Sequence, residues 1–115
     1  MASRTSTPLT HPEREELDLF QVMSALVDPI RRGIVVQLAA SADPTPCTEF
    51  PLPVSKAAGT RHFRTLREAG IIHQHDVGVR RMNRLRREDL EARFPGLLEL
   101  VLREASPVIG SSALT

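Results

Sequence analysis

The 115-residue chain has one cysteine, Cys47. That excludes an intramolecular disulfide framework and a zinc site built from cysteine pairs within one chain. No apolar run approaches the roughly 18 residues that a membrane span needs. Met1 to Thr10 carries one arginine and no apolar block, so no signal peptide is expected and the cytoplasm is the expected compartment. No Gly-rich phosphate loop, activated-nucleophile pattern or facing carboxylate pair is visible, so no enzymatic activity is expected. No histidine follows His75, and no internal repeat is visible. Length and composition fit one ordinary globular domain.

Net charge is also small, at +1, but it is unevenly placed. Between Ser55 and Arg87 stand nine basic residues: Lys56, Arg61, Arg64, Arg67, Arg80, Arg81, Arg84, Arg86 and Arg87. Only Glu68 and Asp76 oppose them, so this third of the chain carries +7 and the remainder −6. A local basic field in a near-neutral protein is the electrostatic footprint of a nucleic-acid binder; a solvated, salt-bridged surface is the alternative. Fourteen of the 15 basic residues are arginine, which suits phosphate and guanine recognition.

Residues 1–11 show no periodicity and read as a disordered arm. A first helix is predicted from Pro12 to Val27, with Glu13, Glu15 and Glu16 favouring its N-terminal turn. Leu17, Phe20, Met23, Leu26 and Val27 recur at helical spacing, widened by Leu19 and Val22. So wide a stripe is either simple core or a helix that a partner subunit also covers, and the second reading is favoured. Asp28-Pro29 starts a second helix with Ile30, Ile34, Val35 and Leu38 inward, ending near Ala42. Gly33 is read as a close approach. Asp43-Pro44-Thr45-Pro46 is a break, and Cys47 to Phe50 forms at most a short helical piece.

Ser55 caps the clearest helix and Gly70 stops it. Gly59, Phe63, Leu66 and Gly70 point one way; Ala57, Arg61, Arg64 and Glu68 point the other, with Thr60 at the edge. A small, hydroxyl-bearing, basic face suits a helix that lies against base edges and touches phosphates. His73 to Asp76, a turn at Val77-Gly78, and Val79 to Leu85 read as a β-hairpin loaded with Arg80, Arg81 and Arg84. The last element runs from Arg86 to about Ala105, interrupted at Pro95-Gly96, with Leu97, Leu98, Val101 and Leu102 as its apolar stripe. Residues 12–105 thus form the domain, and residues 106–115 read as a loose tail.

This order of elements is a winged helix-turn-helix, mainly α with a small β-hairpin, and the apolar breadth of Leu17 to Val27 with Leu97 to Leu102 adds the expectation of a dimer. The segment Ala25-Leu26-Val27-Asp28-Pro29-Ile30-Arg31-Arg32-Gly33-Ile34-Val35 resembles the opening signature of ArsR-type transcriptional regulators. So does Ser55-Lys56-Ala57-Ala58-Gly59-Thr60-Arg61-His62-Phe63-Arg64-Thr65-Leu66-Arg67-Glu68-Ala69-Gly70-Ile71-Ile72. Arg86 to Leu98, with Phe94-Pro95-Gly96-Leu97-Leu98, resembles the C-terminal helix of a metal-independent branch. The resemblance spans roughly residues 13–104. Three departures stand out. Arg61 replaces the first His of the usual pair, prolines shorten the first helix of the helix-turn-helix, and Met82-Asn83 stands where aromatics are frequent.

The resemblance implies a homodimer on a pseudo-palindromic operator, with the first and last helices at the dimer interface. Ser55, Lys56, Ala57, Thr60 and Arg61 would then face bases or nearby phosphates. His62 and Arg64 would brace the backbone, and Arg80 and Arg81 would serve the wing. Leu17, Phe20, Met23, Leu97, Leu98, Val101 and Leu102 would line the dimer interface. Many relatives sense metals through two cysteines before the recognition helix, where Pro46-Cys47-Thr48-Glu49-Phe50 offers one; others use Asp and His pairs on the last helix.

No metal and no cofactor are therefore expected. Cys47 reads as a small buried or semi-buried residue, with redox sensing or a two-subunit thiolate site as alternatives. His73 and His75 share a strand face beside Asp76 but lack a third ligand there. The expected function is a sequence-specific DNA-binding transcriptional regulator, a repressor. Its expected partners are double-stranded DNA, a second copy of itself and an unidentified effector, with no membrane. The alternative is a winged-helix module acting mainly through a protein partner.

Overall fold

The computed structural model describes residues 9–105, so the expected tail over 106–115 and most of the expected arm over 1–11 lie outside the described residues. Five α-helices pack around a small antiparallel sheet: α1 (Leu19–Leu26), α2 (Pro29–Ala39), α3 (Lys56–Glu68), α4 (Arg87–Arg93) and α5 (Leu97–Ala105). The strands are β1 (Thr45–Pro46), β2 (Ile72–Val77) and β3 (Arg80–Leu85), in the order β1-β3-β2. Among the described residues no helix is long and apolar enough to cross a membrane.

The helix predicted from Pro12 is not continuous. Arg14–Glu16 forms a 3-10 turn closed by a capping box between Glu13 and Glu16. Leu17 then adopts extended backbone and drives its side chain into the core, where it is 2% exposed. Asp18 restarts the chain as α1 by accepting from the Gln21 N–H at 2.9 Å. The break follows from burial. Leu17 covers the turn after α3, where a Cβ on Gly70 would meet Leu17 Cδ2 at 2.0 Å.

Asp28 caps α2 as expected, accepting from the Ile30 and Arg31 N–H groups, and Pro29 fills the first helical position. Ile34, Val35 and Leu38 are buried, but Gly33 faces open space, so the expected close approach is absent. The break at Asp43 to Pro46 contains a strand. Thr45 pairs with Asn83 and Pro46 with Met82. Two residues at a sheet edge, one of them a proline lacking an N–H, give almost no strand signal. Cys47–Glu49 is a single 3-10 turn.

α3 matches its prediction. Ser55 Oγ accepts from the Ala58 N–H at 3.1 Å, and Gly70 ends the helix with φ +84°. Gly59, Phe63 and Leu66 are its buried residues. The hairpin loop lies one residue later than expected: Val77 pairs with Arg80, leaving Gly78-Val79 as the loop with Gly78 at φ +63°. α4 and α5 divide at Gly96, φ +87°. One apolar core joins Leu17, Val22, Leu26, Ile34, Val35, Phe63, Leu66, Ile71, Ile72, Leu90 and Leu98.

Candidate nucleic-acid interface

The inward registry of α3 decides what it shows outside. With Gly59, Phe63 and Leu66 in the core, Lys56, Ala57, Thr60, Arg61 and Arg64 are all exposed. Ser55 is exposed at the cap, and the Thr60 hydroxyl donates back to the Lys56 carbonyl at 3.0 Å, which keeps it flat on the helix. The outer face is therefore small in its first turns and basic further on. Among the described residues, Lys56, Arg61 and Arg64 make no side-chain hydrogen bond or ion pair, so these cations are presented only to solvent.

His62 behaves differently. It is half-buried, and its Nδ1 stands 3.1 Å from Arg31 Nη1. A guanidinium only donates, so Nδ1 accepts and the ring proton sits on Nε2. Arg31 also donates to the Ala25 carbonyl at 2.7 Å, tying α3 to the end of α1. His62 thus braces the protein's own helices first, rather than serving only as an outward brace.

The sheet sorts the hairpin arginines by alternation. His73, His75 and Val77 pair with Arg84, Met82 and Arg80 on one face; Ile72, Gln74 and Asp76 pair with Leu85, Asn83 and Arg81 on the other. Arg80 reaches Glu49 at 3.6 Å between well-exposed side chains. Arg81, expected as a wing contact, is held by Asp76 through two bonds of 2.8 and 3.1 Å. Arg84 is exposed with no side-chain partner among the described residues, and sequence reasoning left it out of the contact set. Its signal was strand parity: it stands one residue before the buried Leu85.

Three other members of the basic field are tied to the chain itself: Arg86 is buried, Arg67 half-buried and Arg87 exposed. Arg86 is buried, donating to Asp89 at 2.9 Å and to the Pro12 carbonyl at 2.9 Å. Arg67 donates to Gln74 at 2.7 Å, and Arg87 donates to the Ala39 carbonyl at the end of α2. Hydrogen bonds from Arg14, and then from Arg86, hold the Asp89 carboxyl below the usual carboxylate range against the opposing effect of burial. Between α3 and the hairpin lies a trough of about 1360 Å³. Ser55, Lys56, Thr60 and Arg64 line one side, and His75, Arg80 and Arg81 the other.

A second surface is apolar. Phe20 is 73% exposed and Val27 68%, with Met23 and Leu100 also open. Positions 20, 23 and 27 form an outward stripe on α1, while Val22, Ala25 and Leu26 take the inward one. Met23, Leu26, Val27, Leu97, Leu100 and Val101 line a groove of about 470 Å³ between α1 and α5. Of the expected interface residues, Leu17 and Leu98 are instead core residues of the single chain. Leu97, Val101 and Leu102 are half-buried against that core.

Cys47 is half-buried, and burial pushes its thiol up, against the lowering effect of an Asn83 hydrogen bond. That is the opposite of an activated thiolate. His73 and His75 do share a face, 5.9 Å apart, and His11 joins them. The His11 ring stacks on His73 at 4.3 Å, and its Nε2 accepts from the Gln74 N–H at 2.9 Å. His11, within the stretch read as a disordered arm, thus lies as a strap across the edge of β2. Among the described residues, no group of three or more His, Cys, Asp or Glu side chains is placed to hold a metal ion.

The sequence matches no protein-family model and no curated protein. Solved structures do match. An ArsR-family transcriptional regulator is 26% identical with a TM-score of 0.61, over 76% of this chain and 92% of its own. A structure described as a possible transcriptional regulator for arsenical resistance is 25% identical, TM-score 0.58, over 82% and 97%. An ArsR-like regulator from Rhodococcus sp. RHA1, 21% identical with a TM-score of 0.57 over 84% and 92%, shares the fold. The resemblance to ArsR-type winged helix-turn-helix regulators holds in three dimensions, and these neighbours are regulators rather than enzymes.

Proposed function

We propose that this ArsR-type winged helix-turn-helix chain is a sequence-specific repressor that binds a pseudo-palindromic operator as a homodimer in the cytoplasm. One observation carries the proposal. The exposed face of α3 sets small residues, Ala57 and Thr60, beside Arg61 and Arg64, cations with no side-chain partner among the described residues. Small residues admit a close approach to base edges, and arginines meet guanine or phosphate. Ser55, Lys56, Ala57, Thr60, Arg61 and Arg64 form the reading face, with Arg80 and Arg84 on the wing. His62 supports it through Arg31, and Arg81 is tied at the surface to Asp76. The apolar stripe of Phe20, Met23 and Val27, with Leu97, Leu100 and Val101 across the groove, is the surface for a second copy. Isologous pairing of that face gives two reading helices related by a two-fold axis.

Selection of bound duplexes from a random pool, followed by footprinting, tests this. Two half-sites about one helical turn apart, or a multiple, are expected. A pool that yields no preferred duplex contradicts it. The exposed apolar stripe also favours a second reading, a module docking on a protein partner. That module would bind every duplex alike and only weakly.

A further inference from the structure

The inner face of the hairpin carries a buried polar pair between the apolar Ile72–Leu85 pair and the charged Asp76–Arg81 pair. Gln74 and Asn83, paired across β2 and β3, are 2% and 0% exposed and follow the Ile72–Leu85 pair on the same face. Gln74 Nε2 donates to Asn83 Oδ1 at 2.7 Å. Asn83 Nδ2 donates to the Thr45 carbonyl of β1 at 3.0 Å, with Cys47 Sγ 3.2 Å away. At the other end, Arg67 Nη1 donates to Gln74 Oε1 at 2.7 Å. One chain of hydrogen bonds runs from α3 through β2 and β3 to β1. An apolar pair would fill this space without needing partners. What the polar chain adds is direction, because each donor fixes the distance and angle of the next group.

We propose that Gln74 and Asn83, together with Arg67, are positioning residues for DNA recognition. They hold the wing in one pose against α3, so that Arg61 and Arg64 on the helix and Arg80 and Arg84 on the wing meet one duplex at once. The proposal rests on the regulator reading above. Arg67 stands on the recognition helix, yet its charge serves this chain and not a phosphate. A wing fixed before binding has no ordering to undergo when DNA arrives.

The test is a mutant cycle on the selected duplex, using the full chain with its fold checked by circular dichroism. In the wild type, Arg84→Ala should weaken binding about fivefold and flatten the salt slope by roughly 0.9 per subunit. In Asn83→Leu, and separately in Arg67→Met, the same change should weaken binding less than about twofold and leave the slope unaltered. Base preference at the Arg61 position should persist in both. Arg67→Met leaves the sheet pairing intact, so it decides the matter if Asn83→Leu does not fold. A merely structural chain would lower the melting temperature of both variants and keep the Arg84 effect at full size; that result overturns the proposal. A wild type insensitive to Arg84→Ala has no wing contact to position and overturns it too. A wild type with no preferred duplex overturns the regulator reading, and the positioning role with it.

Discussion

Two surfaces of the molecule are of opposite kinds. On the α3–hairpin side, Arg61, Arg64 and Arg84 have no side-chain partner among the described residues, while the interior is tied by the Arg67–Gln74–Asn83 chain. On the α1–α5 side, Phe20, Met23, Val27 and Leu100 expose hydrocarbon around a shallow groove. The difference teaches what each side is built to meet. Unpaired guanidinium groups gain from an anionic, hydrated partner, and their attraction falls with salt. Exposed apolar side chains gain from a matching apolar surface, with little salt dependence. The same field of nine basic residues looked uniform along the chain. In space it separates into outward cations and ones tied to the chain itself that build the scaffold.

The seam between the two sides is the most sensitive place to break that arrangement. Leu17, arriving from the α1 side, closes over Gly70 at the end of α3. Gly70→Ala combines a positive φ with a direct clash and should cost about 3 kcal/mol of stability. Thermal denaturation reads it, and an unchanged melting temperature would show that Leu17 yields freely.

The apolar side is broken next. Phe20→Asp or Val27→Asp should weaken the proposed self-association by about 2 kcal/mol or more. Sedimentation velocity should show a shift to monomer, with DNA affinity falling in step. Unchanged dimer in both variants would move the interface elsewhere.

On the charged side, the arginines should divide by their partners. Arg84→Ala should weaken all duplexes alike and flatten the salt dependence. Arg81→Ala should leave the slope nearly unaltered, because Asp76 already holds that guanidinium. Equal slopes for the two variants would show that Arg81 leaves Asp76 to reach phosphate.

The smallest expected effect concerns the strap. His11 is lowered from 6.5 to about 4 by burial and by the charges of His73, Arg67 and Arg86. The folded state therefore favours the neutral ring. Its contribution is complete above pH 6.5 and is lost as pH falls from 6.5 towards 4, with no further loss below. The wild-type melting temperature should fall more over that interval than that of His11→Gln. Parallel curves would mean that the strap detaches without cost.

Much of the charged side was legible from sequence, because its signals are local. Asp28-Pro29 caps α2, Ser55 and Gly70 bound α3, and the 3.6-residue rhythm separates Phe63 from Arg64. The misreadings came from long-range packing. Leu17 continued a helical stripe, but it breaks the helix to fill a cavity over Gly70. Thr45-Pro46 gave no strand signal, since its pairing depends on Asn83, 38 residues away from Thr45. Arg81 and Arg84 stand on opposite faces of β3, because the buried Ile72–Leu85 pair sets which face points inward. His11 met His73 only through the fold.

The central claim is that α3 reads sequence, and salt-dependent binding of wild type and Arg61→Ala to the selected and scrambled duplexes tests it most directly. The account predicts a steep fall in affinity with salt for both proteins. It predicts a wild-type preference for the selected duplex that Arg61→Ala reduces by about 1–3 kcal/mol at one base position per half-site. Equal wild-type binding to both duplexes, or a preference untouched by Arg61→Ala, would contradict it.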